Sequence, residues 1–169
     1  MNSALTVELQ DFTCALAPQV KEVASASWHQ AYSGIYSRDH IDRFIAEYYS
    51  AQALCRCQDA VSAGDEFFKV AIVGGKVVGF CHMGASEELY WLYRLYLLPG
   101  YQRSGIGSMM LSSGQAWLRS RHAGEYFAVV HQGNKIAMGF YRKKKFTVYG
   151  PAELPGEVVL RKTLRRASP

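Results

Sequence analysis

The spacing of apolar positions changes period several times along the chain, and each change marks an element. After the apolar positions Leu5, Val7 and Leu9, Pro18 opens a run in which Val20, Val23, Ala24, Ser27, Trp28, Ala31 and Tyr32 recur at helical spacing until Gly34. Ser37 suits the cap of a second helix whose inner stripe is Ile41, Phe44, Ile45 and Tyr48. Residues 67–73 and 76–83 read as a β-hairpin, because the Gly74-Gly75 pair between them tolerates the positive φ angles of a two-residue turn. An aromatic strand follows over 88–98, with Tyr90, Trp91, Tyr93 and Tyr96, and Pro99-Gly100 stops it. Helical spacing returns from Gly105 with Ile106, Met109, Met110 and Trp117, and Arg119 and Arg121 occupy the last turn before Gly124. Residues 126–130 form another strand, and Asn134 suits the cap of a short helix bearing Ile136, Ala137, Phe140 and Tyr141. Strands over 146–149 and 158–164, joined by a loop at 151–156, close the chain. This order predicts an α+β fold: one domain over residues 1–169, built on a central, mostly antiparallel mixed sheet with flanking helices.

Composition narrows the class. The chain has 169 residues, of which 49% are hydrophobic and 20% charged, enough for one core that needs neither disulfides nor metals. No apolar run approaches the roughly 20 residues of a membrane span, and the first ten residues lack the pattern of a signal peptide, so a cytoplasmic location is expected. Cys14, Cys55, Cys57 and Cys81 fit neither a CxxC site nor a secreted disulfide framework, and are read as reduced thiols, mostly filling the core. No metal is expected: Cys55 and Cys57 with His82 are the one conceivable cluster, and a single intervening residue puts two strand side chains on opposite faces. The net charge of +5 admits an anionic ligand, although it is concentrated at 142–145 and 161–166, runs that read as solvated faces. No recognition helix or stacking platform accompanies them, which argues against nucleic acid.

The turn after the aromatic strand carries the clearest chemistry. A strand ending at Leu98 and a helix beginning near Gly105 leave Gln102, Gly105 and Gly107 in a turn whose backbone N–H groups converge, as in an anion site. Two glycines lacking side chains let a diphosphate approach the backbone, and the helix dipole adds positive potential. A tight structural turn would use the same glycines. Nucleotide motifs built on this physics fit badly: there is no Lys followed by Ser or Thr, and Met110 stands where a dinucleotide fingerprint needs Gly or Ala. Nor does the turn close the first strand of a βαβ unit.

The stretch Leu95-Tyr96-Leu97-Leu98-Pro99-Gly100-Tyr101-Gln102-Arg103-Ser104-Gly105-Ile106-Gly107 resembles the signature of the GNAT (GCN5-related N-acetyltransferase) family, a strand and Pro, then Gln-x-x-Gly-x-Gly and a helix. Asn134 and Tyr141 are similar to the family's second motif, an Asn followed seven residues later by Tyr on a short helix. The resemblance extends to the order of elements over nearly the whole chain. It implies an acyl-CoA-dependent N-acetyltransferase that moves the acetyl group of acetyl-CoA to a primary amine by direct attack in a ternary complex. The acceptor would be a small molecule such as a polyamine, or a protein or peptide amine; the alternative is a non-catalytic acyl-CoA sensor.

By the same resemblance, Leu95, Tyr96 and Leu97 would pair with the pantetheine arm, the Leu97 N–H would face the thioester carbonyl, and Gln102, Arg103, Ser104, Gly105, Ile106, Gly107 and Ser108 would wrap the pyrophosphate. Asn134 would touch the pantetheine arm, and Tyr141 would protonate the leaving thiolate. Trp28, Tyr32, Glu87 and Trp91 form the expected acceptor-binding set, with His29, Tyr36 and Tyr90 as further candidates. Val129 stands five residues before the Asn, where some relatives carry a Glu base, so a base is sought among Glu87, Glu88, His131 and His29, or in water. Alternation puts Glu87 on the strand face of Trp91, Tyr93 and Leu97, unless a β-bulge reverses the parity. Lys145 departs from the Gly that relatives often place in a left-handed cap. No nucleic acid or membrane partner is implied, and a homodimer is admitted.

Overall fold

The structure, a computed structural model, describes residues 6–164, so Leu5 and the basic positions 165 and 166 lie outside it. Its order is β1 (Glu8–Asp11), α1 (Ala17–Tyr32), α2 (Arg38–Tyr48), α3 (Ala51–Cys55), α4 (Gln58–Ala63), β2 (Phe67–Val73), β3 (Lys76–Ser86), β4 (Leu89–Leu97), α5 (Ile106–Ser120), β5 (Glu125–His131), α6 (Lys135–Lys143), β6 (Thr147–Pro151) and β7 (Glu157–Thr163). The strands form one seven-stranded sheet in the order β1-β2-β3-β4-β5-β7-β6. Every neighbouring pair is antiparallel except β4 and β5. The α+β architecture expected from the pattern is the one observed.

Local chemistry explains the element starts. Pro18 sits in the first turn of α1, where its missing N–H costs nothing. The Ser37 hydroxyl accepts from the His40 amide at 3.2 Å and caps α2. Ser50 caps α3 in the same way, accepting from Ala53 at 3.1 Å. Helices α3 and α4 were not predicted, because five and six residues are too few to show a helical period. Gly74 and Gly75 adopt φ of 56° and 77°, as the hairpin turn requires.

Alternation splits the apolar residues between two cores. Phe67, Cys81, Met83, Leu92, Tyr126, Ala128 and Val130 point to the face that α5 and α6 cover, joined by Ile106, Met110, Leu118 and Tyr141. Phe68, Val70, Val77 and Phe80 point to the opposite face, against Val20, Val23, Ile41 and Leu54 of α1 to α3.

Three expectations need correction here. Cys14 and Cys55 are joined as a disulfide that ties the turn ahead of α1 to α3, and only Cys57 and Cys81 are free thiols among the described residues. A sequence separation of 41, with one partner in an unpredicted helix, concealed the pairing. The grouping of Cys57 and His82 holds, but their third neighbour is Glu66 and not Cys55, with donor atoms within 4.8 Å of one another. These groups already bond within the chain: His82 Nε2 and Glu66 Oε2 are 2.7 Å apart, and Cys57 Sγ donates to the Leu54 carbonyl at 3.0 Å. Glu87 and Glu88 are not strand residues; both are exposed and left-handed (φ 51° and 66°) in the β3–β4 turn. That turn lies at the end of β4 remote from Leu97, so neither residue reaches the region where Leu95, Tyr96 and Leu97 lie.

Candidate active site

The sheet is split beside β4. The parallel pairing of β4 with β5 covers only Trp91–Phe127 and Leu92–Ala128, after which the two strands have no further partners in common. The cause lies in β4 itself: His82 pairs with Arg94 and Met83 with Leu92, which leaves Tyr93 as an extra, bulged residue. The bulge turns the strand away from β5 and shifts its parity. Trp91 faces the α1 side with Phe127, at 5.5 Å between ring centroids, whereas Leu95 and Leu97 face α5. Plain alternation would have put Trp91 and Leu97 on one face; the bulge reverses the parity between them, the exception that alternation allowed.

Beyond the bulge the backbone of β4 has one flank free. The Leu98 amide donates to the Val78 carbonyl of β3 at 2.8 Å, so by alternation the amides of Leu97 and Leu95 point the other way, into the split. The Leu97 carbonyl faces the same side, where it accepts from the Ser27 hydroxyl of α1 at 3.0 Å. Ser27 is buried, a role for this stripe residue that periodicity alone did not reveal.

The turn that follows β4 ends in a set of unused donors. Arg103 (φ 63°) and Gly105 (φ 88°) are both left-handed, and Gly105 caps α5. The amides of residues 103–108 make no hydrogen bond with the described chain, because the first backbone bond at the start of α5 runs from Met109 to Gly105. Six successive free N–H groups at the positive end of a 15-residue helix form an anion cradle. Side chains there turn elsewhere: the Ser104 hydroxyl donates to the Tyr101 carbonyl, and the Gln102 amide to Gln30 at 2.7 Å.

Helix α6 carries Asn134 at its cap and Tyr141 in the core of the α5–α6 face. The Asn134 side chain caps α6, accepting from the Ala137 amide at 3.0 Å, while its Nδ2 donates to the Tyr32 hydroxyl at 3.3 Å. Tyr141 is 9% exposed, packed edge-on against Phe146 at 4.9 Å. Burial raises the Tyr141 pKa first, and the neighbouring Cys81, Tyr126 and Tyr32 raise it further, so the phenol keeps its proton at neutral pH. Tyr32 belongs to α1 on the other face, so the two faces of the sheet meet here.

The base candidates are placed as follows. Val129 is 47% exposed, on the open face shared by Phe127 and His131. His29 is paired with Asp42 at 2.8 Å, between α1 and α2. The His131 Nδ1 accepts from the Gly133 amide at 3.0 Å, which puts the proton of a neutral ring on Nε2. Trp28 stacks between Tyr32 and Phe44 in α1's apolar contact with α2, so its ring is held by packing. Lys145 is left-handed (φ 63°), as its place after α6 suggested.

A split sheet with amides unbonded on one strand, followed by an anion cradle at a helix start, has the donors that the pantetheine arm and pyrophosphate of a CoA thioester require. The chain belongs to the acetyltransferase (GNAT) family, whose profile matches residues 25–146. It is an N-acetyltransferase that uses acetyl-CoA. A spermidine N(1)-acetyltransferase of Thermoplasma acidophilum is 29% identical over 145 residues, covering 85% of this chain and 90% of its own. The crystal structure of the PaiA N-acetyltransferase of the same organism, in complex with coenzyme A, superposes with a TM-score of 0.89 at 26% identity, over 95% of this chain and 100% of that one. A GCN5-related N-acetyltransferase of Rhodopseudomonas palustris shares the fold with a TM-score of 0.74 at 16% identity, over 97% and 99%. No helix among the described residues is long and apolar enough to cross a membrane.

Proposed function

We propose that the protein transfers the acetyl group of acetyl-CoA to a primary amine of a small cationic acceptor, a polyamine or related diamine, by direct attack in a ternary complex. The observation that carries this reading is the split itself, with the amides of Leu95 and Leu97 on the free flank of β4 and the unbonded amides of residues 103–108 beyond it; protonated Tyr141, in the core beside Cys81, Tyr126 and Tyr32, is the acid assigned to it. The pyrophosphate lies on the 103–108 amides, with Arg103 adding charge, and the pantetheine arm runs along Leu95, Tyr96 and Leu97. Asn134 borders the arm, its second amide hydrogen available once Tyr32 takes the first.

In this scheme the Leu97 N–H donates to the thioester oxygen as the amine attacks and negative charge develops there. Tyr141, whose phenol is protonated at neutral pH, then donates to the leaving sulfur as the C–S bond breaks, and the phenolate this leaves takes back a proton from water. The amine proton leaves through water, because the carboxylate and imidazole candidates are remote or already engaged. Tyr32 and Trp91 border the open face from which the acceptor enters, and Trp28 backs Tyr32.

The spermidine acetyltransferase relative supports the choice of acceptor class. Release of free thiol from acetyl-CoA, followed with spermidine, diamines, simple alkylamines and amino acids, tests it. Turnover concentrated on the di- and polyamines is expected. Turnover confined to amino acids or peptides would overturn the acceptor assignment.

A further inference from the structure

We propose that Glu157 selects the acceptor by its second positive charge: its carboxylate, across from His131 and beside the Tyr32–Tyr36 ring pair, holds the non-reacting ammonium of a di- or polyamine. This inference rests on the cationic-amine reading above and assigns the residue that reads the charge.

Glu157 and His131 are directly paired in the β5–β7 ladder, which puts their side chains on one face. Because Ala128 and Val130 point into the α5 core, His131 and therefore Glu157 belong to the open face, where α1 ends. The His131 ring stands edge-on to Tyr32 at 6.5 Å and to Tyr36 at 6.0 Å, and the two tyrosine rings are 5.8 Å apart. The Glu157 charge raises the pKa of both phenols, after burial, so the carboxylate lies within electrostatic reach of each. It is half-buried, and among the described residues no ion pair or side-chain hydrogen bond engages it.

A half-buried carboxylate among aromatic rings, in a chain of net charge +5, fits an ammonium group: the charge meets the carboxylate and the methylenes meet the rings. The backbone holds it in place, since the Glu157 amide donates to Leu154 and the Gly156 carbonyl accepts from Gln132 at 2.8 Å. Tyr32 sets the distance to the chemistry. Its hydroxyl is bonded to Asn134 and is within electrostatic reach of Tyr141, so one aromatic residue separates Glu157 from the reacting end. A charge held at Glu157 is therefore the one that is not acetylated.

The test compares spermidine with butylamine as acceptors for the wild-type protein, Glu157→Gln and Glu157→Asp, at saturating acetyl-CoA. Glu157→Gln is expected to raise the KM for spermidine by at least about tenfold with little change in kcat, to leave butylamine kinetics unchanged, and to be partly rescued by Glu157→Asp. Equal losses on both amines, or no loss on spermidine, would overturn the proposal. If the wild-type protein acetylates neither amine, the proposed function fails by itself, and calorimetry of spermidine binding to the CoA-loaded protein still decides the role of Glu157. Binding lost in Glu157→Gln sustains it; equal binding by both forms overturns it.

Discussion

The two sides of the site are made of different material. On the proposed donor side most of the groups offered to acetyl-CoA are backbone amides, of residues 103–108, Leu95 and Leu97, and the nearby side chains of Gln102 and Ser104 bond back to the protein. On the proposed acceptor side Tyr32, Tyr36, His131 and Glu157 would present side chains, carried by three separate segments of the chain. A backbone site tolerates changes of side chain but not of local φ, whereas a side-chain site can be retuned by one substitution.

Predictions follow from where the contrast is weakest. Tyr141 is the one donor-side residue whose side chain is assigned chemistry. Replacing it with Phe keeps the packing against Phe146 and removes the acid, so kcat should fall by about a hundredfold while the acetyl-CoA KM stays near its wild-type value. Unchanged turnover would reduce Tyr141 to a core residue. Gly105→Val comes next. At φ 88° a β-branched residue is strained by about 1–3 kcal/mol, and the cradle should open, raising the acetyl-CoA KM roughly tenfold or more. Titration of acetyl-CoA in steady-state assays reads this directly. Ser104→Ala should have the smallest effect, within about twofold in the same assay, since its hydroxyl is turned to the Tyr101 carbonyl. A large loss there would show that a side chain, and not the amides, binds the pyrophosphate.

Donor and acceptor sides also differed in how far the sequence revealed them. The turn after β4 was legible because Gly105, left-handed at the cap of α5, is tied to one backbone geometry within a few residues. Asn134 was legible as a cap for the same local reason, and its Oδ1 does cap α6. Its bond to Tyr32, 102 positions away, was not. The bulge at Tyr93 left no mark in a strand so rich in aromatics, and it alone changed the faces of Trp91 and Leu97. Glu157 was invisible for a related reason: its significance comes from pairing with His131 through the β5–β7 register, which no local pattern encodes. Glu87 drew notice instead, because two adjacent acids beside an aromatic strand look like a site until the turn claims both.

The central claim is that acetyl-CoA is gripped by main-chain amides on the free flank of β4 and at the start of α5. Amide-resolved NMR of the 15N-labelled protein, titrated with CoA, reports on each of those groups separately. The account predicts that the largest shifts fall on residues 103–108, Leu95 and Leu97, while the Leu98 amide, bonded to Val78 of β3, moves little. Shifts concentrated in the α1–α2 turn and the β6–β7 loop, with residues 103–108 unmoved, would contradict it.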